Sequence, residues 1–566
     1  MIALDWIVLF GTILLIVLYG TWKTRHASTA ETFLKGGNQL KWWMIGVSIM
    51  ATQASAVTFI STPGQAFEDG MRFIQFYFGL PLAMVIISVT MLPIYYKLKV
   101  YTAYEYLETR FDLKTRTLAA ILFLMLRGLS VGITLFAPSI VLSTILGWDN
   151  FFTTLLIGVA VIIYSVTGGS SAVSITQRLQ MAVILGGMMV AGVMAFSLLP
   201  QHVSFLNAVH VAGELGKLNI ITTNFSLNDR FNIWSGLFAS TFLFLSYFGT
   251  DQSQVARYLG GKSLTESRMG LIFNGLLKIP MQFLILFIGV LVFLFYQFNE
   301  PPVFHNKVLL NEVVNEANAG EFNSMEKKAT VIFRHKKETV DHLVEAIQKD
   351  DDGDIAEAKK QFTYYKSRED SLRLQFRAKI ASEKKIELKA VKDTDYVFLN
   401  FVLTNLPHGL IGLLLAVMFS AAMSSMAGEL NALATTTQVD IYQRVFRKKE
   451  GANSLVSSRW FTVLWAVIAI VFAWLANFSE NLIQYVNIVG SLFYGTILGI
   501  FLVAFYIKWV KSNAVFWAAL IAEGIVLACY FYFYQEIAFL YYNIIGCVIV
   551  VVLALVFQSL TSKKES

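Results

Sequence analysis

Apolar residues gather along this chain in long runs separated by short polar connections. A helix needs about 20 largely apolar residues to cross the hydrocarbon of a bilayer. Thirteen stretches meet that length: 3–21, 42–66, 72–97, 117–146, 151–168, 172–199, 232–256, 268–297, 400–430, 459–477, 482–507, 513–534 and 537–558. Barrel strands would alternate apolar and polar residues over ~10 positions, and these runs do not. The expected fold is all-α, an integral membrane protein of 13 transmembrane helices. Two spans, 42–66 and 232–256, carry polar or glycine interruptions.

The pattern changes between spans eight and nine. From Glu300 to Asp395 stand 18 Lys+Arg and 19 Asp+Glu, close to half of the 83 charged residues of the 566-residue chain. Elsewhere charge is sparse, and overall only 15% of residues are charged against 56% hydrophobic. Soluble domains carry about 25% charged residues, so the bulk of the chain belongs to lipid. Within the insert, Val331, Ile332, Val340, Leu343, Val344 and Ile347 recur at helical spacing, and Leu372, Phe376, Ile380 and Ile386 follow the cluster Asp350–Asp354. A two-helix hairpin with an acidic turn is expected. As a calcium loop the cluster lacks the sixth-position glycine and the closing glutamate, so it reads as a solvated turn. The expected units are residues 1–299 with spans one to eight, an insert at 300–395, and residues 396–566 with spans nine to thirteen.

Lysine and arginine accumulate in cytoplasmic loops. They do so here after span one (Lys23, Arg25, Lys35, Lys41), after span three (Lys97, Lys99, Arg110, Lys114, Arg116) and after span nine (Arg444, Arg447, Lys448, Lys449). The N-terminus is therefore expected outside, the C-terminus inside and the insert on the outer face. MIALDW lacks a basic n-region, so span one is expected to be retained. Cys529 and Cys547 fall in late spans and read as packing residues.

Soluble chemistries fall away. Gly261-Lys262-Ser263 lacks the glycine of a phosphate loop, Ala256 standing in its place. There is no HExxH, no His/Cys cluster with metal spacing and no GxSxG elbow. The net charge of +7 sits where topology requires it, so neither nucleic-acid binding nor enzyme activity is expected.

Polar residues deep in a span are costly and mark function. Span two contains Ala51-Thr52-Gln53-Ala54-Ser55-Ala56-Val57-Thr58, then Pro63-Gly64; span seven contains Ser246 to Ser253. The two interruptions lie five spans apart, an odd offset that inverts orientation. Interrupted helices in matching positions of inverted halves point to a transporter binding site, although small polar residues also pack helices. In span nine, Ala421, Ser424 and Ser425 share one helix face. Neutral oxygens from such a face and from an unwound backbone suit sodium, by the logic that gives hard divalent ions their oxygen ligands.

The Ala51–Gly64 stretch, SAAMSSMAGELNALATTTQVDIY from Ser420 to Tyr442 and VYTAYEYLETRF from Val100 to Phe111 resemble the sodium:solute symporters over essentially all thirteen spans, the insert excepted. The resemblance implies a LeuT-like five-helix inverted repeat with one extra N-terminal and two extra C-terminal helices. It implies sodium as coupling ion, held by Ala51, Ala54, Ala421, Ser424 and Ser425. Gln177 stands where some members have an aspartate tied to a second ion, so one sodium per cycle is expected.

The same resemblance places Gln53, Thr58, Tyr77, Arg127, Tyr247, Gln252 and Lys278 at the solute. Thr58 and the Phe76–Leu80 stretch depart from the polar residues of the sugar carriers, and a hexose would leave buried hydroxyls unpaired here. A sialic acid carrier uses an arginine near Ser130, one turn from Arg127. Guanidinium suits a carboxylate, so Arg127 is read either as a carboxylate ligand or as a partner of backbone or headgroup. The expected activity is sodium-coupled import of a small organic anion by alternating access, with a sugar or other neutral solute as alternative. A solute sensor is the rival class, but the chain stops about eight residues past its last expected span. A proton-driven carrier would want a buried carboxylate. Asp251 and Glu429 stand nearest, and both are expected toward the cytoplasmic surface.

Overall fold

The computed structural model describes residues 1–24, 40–98, 100–445, 454–475 and 481–565. Arg25, Lys35, Lys99, Arg447, Lys448 and Lys449, which carry part of the orientation argument, lie outside them. The regular structure of the described residues is helical, apart from an isolated bridge between Leu40 and Gly261. Nine helices among them are long and apolar enough to cross a membrane, and three shorter apolar helices, Ala3–Ile16, Asn150–Ile163 and Ser235–Gly249, accompany them.

Both interruptions read from the sequence are breaks in the backbone. Helix α1 (Trp42–Gln53) stops at Ala54, and α2 (Ala56–Asp69) restarts after Ser55, whose ψ of 171 is extended. In span seven, α3 (Ser240–Gly249) ends at Thr250 and α4 (Gln252–Leu259) begins beyond Asp251. Asp251 caps α4 by accepting from the Ser253 N–H at 2.8 Å, the usual role of an aspartate before a helix. Each break frees backbone carbonyls inside the membrane region, where no water can satisfy them.

Three expected spans differ. The runs 151–168 and 172–199 form one continuous 48-residue helix, Asn150–Ser197. Gly168, Gly169, Ser170 and Ser171 lower helix propensity but remove no hydrogen bond, and no proline lies in the segment. Conversely, the run 400–430 is two elements: α5 (Thr394–Asn405) and α6 (Leu410–Thr436). Pro407 and Gly409, at φ 86, turn the chain between them.

Helix α2 is gripped on two sides. A Cβ added to Gly64 would lie 2.1 Å from the Thr394 carbonyl of α5, and one added to Gly289 would lie 2.3 Å from the Pro63 carbonyl. Only glycine permits these backbones to approach so closely.

The charged segment folds as two long helices, Ala319–Lys349 and Asp352–Lys384, joined at Asp350, which takes φ 57. Asp351 caps the second helix, accepting from the Gly353 and Asp354 N–H groups. The buried Lys336 ammonium donates to both oxygens of Glu369 at 2.9 and 2.8 Å and ties the helices together. At the foot of the hairpin Arg373 pairs with the buried Asp393 at 3.1 Å, and the neighbouring Thr394 hydroxyl donates to Glu68 of α2 at 2.6 Å.

Candidate functional site

Where α1 breaks, it faces the small-residue stretch of α6. The Ser424 hydroxyl points at the Ala51 carbonyl, 3.4 Å away. Ser425 is turned onto its own helix, donating to the Ala421 and Ala422 carbonyls at 3.0 and 3.2 Å. Ala51, Ala54, Ala421, Ser424 and Ser425 are all fully buried. The Ser424–Ala51 separation is long for a hydroxyl hydrogen bond, whose usual length is about 2.8 Å. It matches the ~3.4 Å between two oxygens set at right angles around a hard cation with arms of about 2.4 Å. The pair therefore fits a monovalent cation: uncharged oxygens supplied by two helices.

Gln177 sits behind this point, on the long helix Asn150–Ser197. Its carbonyl oxygen accepts from Ser48 at 2.6 Å and its amide donates to Thr52 at 3.2 Å. The residue that replaces a family aspartate thus fastens the long helix to α1. The side chains of Ser174 and Ile175, in the same stretch, lie outside the described residues.

Beside the break opens a cavity of about 100 Å³. Six of the seven residues expected at the solute line it: Gln53, Thr58, Tyr77, Arg127, Tyr247 and Lys278. Phe76 and Phe244 complete an aromatic wall in which Tyr77 stacks on Phe244 with ring centroids 6.0 Å apart. Gln252 lies elsewhere. Its oxygen accepts from the Ala103 N–H and its amide donates to the Tyr101 carbonyl, so it holds the Tyr101–Ala103 turn against α4.

The two cations of the cavity differ in kind. The Arg127 guanidinium is neutralised: it pairs with Asp251, donates to Glu429 at 2.9 Å and reaches the Tyr494 hydroxyl, while the Tyr247 ring lies 5.3 Å from its centre. Tyr494 in turn donates to Asp251 at 2.8 Å. Its partners among the described residues are side chains, and its bidentate geometry is spent on the protein's own carboxylates. Asp251 and Glu429 are 1% and 5% exposed, so both face the protein interior and not the cytoplasmic surface. Lys278, 1% exposed, has no carboxylate among the described residues; its ammonium lies over the Tyr77 ring, 5.7 Å from the centroid.

Sequence reasoning missed the role of Tyr494 and the arginine–carboxylate cluster. The signal available was three ionisable residues inside apolar spans, since such groups pair with one another when buried. Which pairs with which depends on helix packing. Cys529 and Cys547 are both free.

Residues 33–317 and 376–522 match the sodium:solute symporter family. The human sodium/iodide cotransporter is 28% identical over 277 residues, 48% of this chain and 42% of that protein. The human sodium-coupled monocarboxylate transporter 1 is 29% identical over 273 residues, 48% of this chain and 44% of that protein. The chain thus spans less than half the length of these two relatives. The sodium/sialic acid symporter of Proteus mirabilis (strain HI4320) is 23% identical over 569 residues, covering 97% of this chain and 93% of that one. Among solved structures, a Na+-coupled sialic acid symporter in a substrate-bound, outward-open state superposes with a TM-score of 0.74 at 20% identity, over 98% of both chains. That likeness speaks for a shared all-helical fold. The family match covers well over half of the chain and contains the broken helices, the serine pair and the cavity, with most of the hairpin left between its two parts; the chain belongs to the sodium:solute symporter family.

Proposed function

We propose that this multi-pass membrane protein is a sodium-coupled symporter that imports a small carboxylate-bearing organic solute by alternating access. The observation that carries the reading is the buried Ser424 hydroxyl facing the freed Ala51 carbonyl, beside a cavity that holds a buried lysine with no ion pair among the described residues. Sodium is held by the carbonyls of Ala51, Ala54 and Ala421 and the hydroxyls of Ser424 and Ser425, one ion per cycle. Gln177 adds no charge, and its oxygen is already occupied by Ser48.

The solute carboxylate meets Lys278, not Arg127. A lone ammonium in a low-dielectric interior is costly unless an anion joins it. Gln53, Thr58, Tyr77 and Tyr247 shape the rest of the pocket, and Arg127 acts through its carboxylate partners to fix α4 and α6. Gln252 supports the neighbouring turn.

The membrane helices form a five-helix inverted repeat, with one extra helix before it and two after, the helix Asn150–Ser197 supplying the two runs 151–168 and 172–199. The N-terminus lies outside, the C-terminus in the cytoplasm and the 300–395 insert on the outer face, between membrane units 1–299 and 396–566. Sodium binding bridges α1 to α6 and so orders the adjoining cavity; solute then closes the outer side, and rocking exposes both ligands inward. A potential of ~100 mV supplies about 2.3 kcal/mol per charge, and a tenfold sodium gradient about 1.4 kcal/mol. One ion can therefore sustain a neutral-solute gradient on the order of several hundredfold.

Reconstituted vesicles with and without a sodium gradient, offered labelled carboxylates and sugars, test the reading. Uptake of a carboxylate that requires sodium supports it. Sodium-independent uptake, or sugar uptake that excludes carboxylates, overturns it.

A further inference from the structure

The cavity contains more unsatisfied chemistry than a carboxylate alone would use. On the donor side stand the Lys278 ammonium, which has no ion pair among the described residues, and the Asn487 amide nitrogen, buried without a partner. On the acceptor side stand Glu429 Oε2 and Gln53 Oε1, also buried without partners. All four residues line the same cavity. Glu429 spends Oε1 on Arg127, whose other terminal nitrogen goes to Asp251 and Tyr494, so the arginine leaves the second oxygen unserved.

A plain carboxylate answers the donors and leaves a buried carboxylate oxygen and an amide oxygen facing an acceptor-only ligand. A polyol answers the acceptors and can accept from the ammonium, but leaves its charge uncompensated. A ligand with an anionic group and an N–H-bearing cationic group answers both, as polar groups inside proteins are in general paired. Net charge agrees. Lys278 and Arg127 against Asp251 and Glu429 sum to zero at and directly behind the cavity, which matches a solute that is itself neutral overall but strongly dipolar.

We infer that the transported solute is a zwitterionic amino carboxylate. Its carboxylate rests on Lys278, and its ammonium on Glu429 Oε2 and Gln53 Oε1. The aromatic wall of Phe76, Tyr77 and Phe244 receives its carbon frame. The inference rests on the reading of this cavity as the solute site of a sodium symporter and narrows the carboxylates it accepts. It also fixes the charge moved: one sodium with one zwitterion carries one net positive charge, whereas one sodium with a plain monocarboxylate carries none.

The test uses matched pairs of amino and deaminated acids on the full-length protein in sodium buffer. Alanine with propionate, 2-aminobutyrate and 4-aminobutyrate with butyrate, leucine with 4-methylpentanoate, and 6-aminohexanoate with hexanoate vary the distance between the two charges. Binding is read by thermal shift and by competition. At least one amino acid is expected to bind tenfold or more tightly than its deaminated partner, and only with sodium present. Glu429→Gln, which keeps an oxygen for Arg127, is expected to bring that ratio to within about threefold. Gln53→Leu, which does not touch the arginine cluster, should lower the same ratio severalfold. In vesicles, uptake of the preferred amino acid should accelerate under an inside-negative potential. Equal or tighter binding of the deaminated acids, an unchanged ratio in both variants, or uptake indifferent to potential overturns the inference while leaving carboxylate symport standing. Absence of sodium-dependent binding by every acid in both series defeats the carboxylate reading itself, and this inference with it.

Discussion

The hydroxyl of Ser424 and the ammonium of Lys278 make opposite demands on a substitution. Ser424→Ala removes an oxygen from the expected ion and leaves the fold packed, so the half-saturating sodium concentration should rise at least tenfold, about 1.4 kcal/mol. Sodium titration of uptake reads this directly, and an unchanged titration would place the ion elsewhere. Lys278→Met removes a buried unpaired cation, so the protein should melt at a higher temperature while solute transport disappears. Arg127→Ala behaves in the contrary way. It strands Asp251 and Glu429 as buried uncompensated carboxylates, and breaking such a pair costs about 3–5 kcal/mol. Thermal unfolding of the two variants side by side should shift in opposite directions. A stable, transport-dead Arg127→Ala protein would return the carboxylate to the arginine. At this scale the sequence was informative about which residues matter and poor at their partners. Ser424 was legible from its i, i+3, i+4 neighbours on one face. The pairing of Arg127 was not, because it joins residues 124 and 302 positions apart.

Helix α2 connects the break near the proposed ion site to the foot of the charged hairpin, through contacts that tolerate no added volume. Gly64→Ala puts a methyl group 2.1 Å from the Thr394 carbonyl, so α2 and α5 must separate. Transport rate should fall severalfold while the sodium affinity measured at equilibrium stays within about twofold, because the proposed ion site lies beyond the other end of α2. Within the hairpin, Lys336→Ala exposes the need for the Lys336–Glu369 pair and should cost about 3 kcal/mol of local stability, seen as faster proteolysis near residues 336–370. The breaks in spans two and seven were readable because polar and glycine residues cluster there against an apolar background. The division between α5 and α6 is marked by Asn405, Pro407, His408 and Gly409, but the apolar residues on both sides keep the average hydropathy of the run high enough to read as one span. The fused Asn150–Ser197 helix was misjudged for the reverse reason: its glycines suggested a turn that backbone hydrogen bonding does not require.

For the molecule as a whole, the junction between insert and membrane core contains a group that responds to acid. His305 is buried between Phe67 and Tyr296, its backbone N–H donates to Asp393, and burial pushes its imidazole down to about 4 from an ordinary 6.5. The folded junction therefore resists protonation while the opened one accepts it. Stability is fully present above about pH 6.5, declines as pH falls and is lost through about pH 4, by at most about 3 kcal/mol. Hydrogen exchange across residues 300–310 and 391–400, followed from pH 7 to 4, should show the junction loosening in that window. Exchange independent of pH would mean that His305 stays buried and neutral at no cost. The chain's own composition determined that it belongs in a bilayer, that it is helical, where two of its helices break and that the charged insert stands apart, because hydropathy and helix-breaking chemistry are local. Only the tertiary structure decided that Arg127 serves two carboxylates, that Lys278 faces the cavity unpaired and that Gln252 belongs to a turn. Those outcomes depend on which distant helices meet, and a buried charge takes its role from the neighbour that packing brings to it.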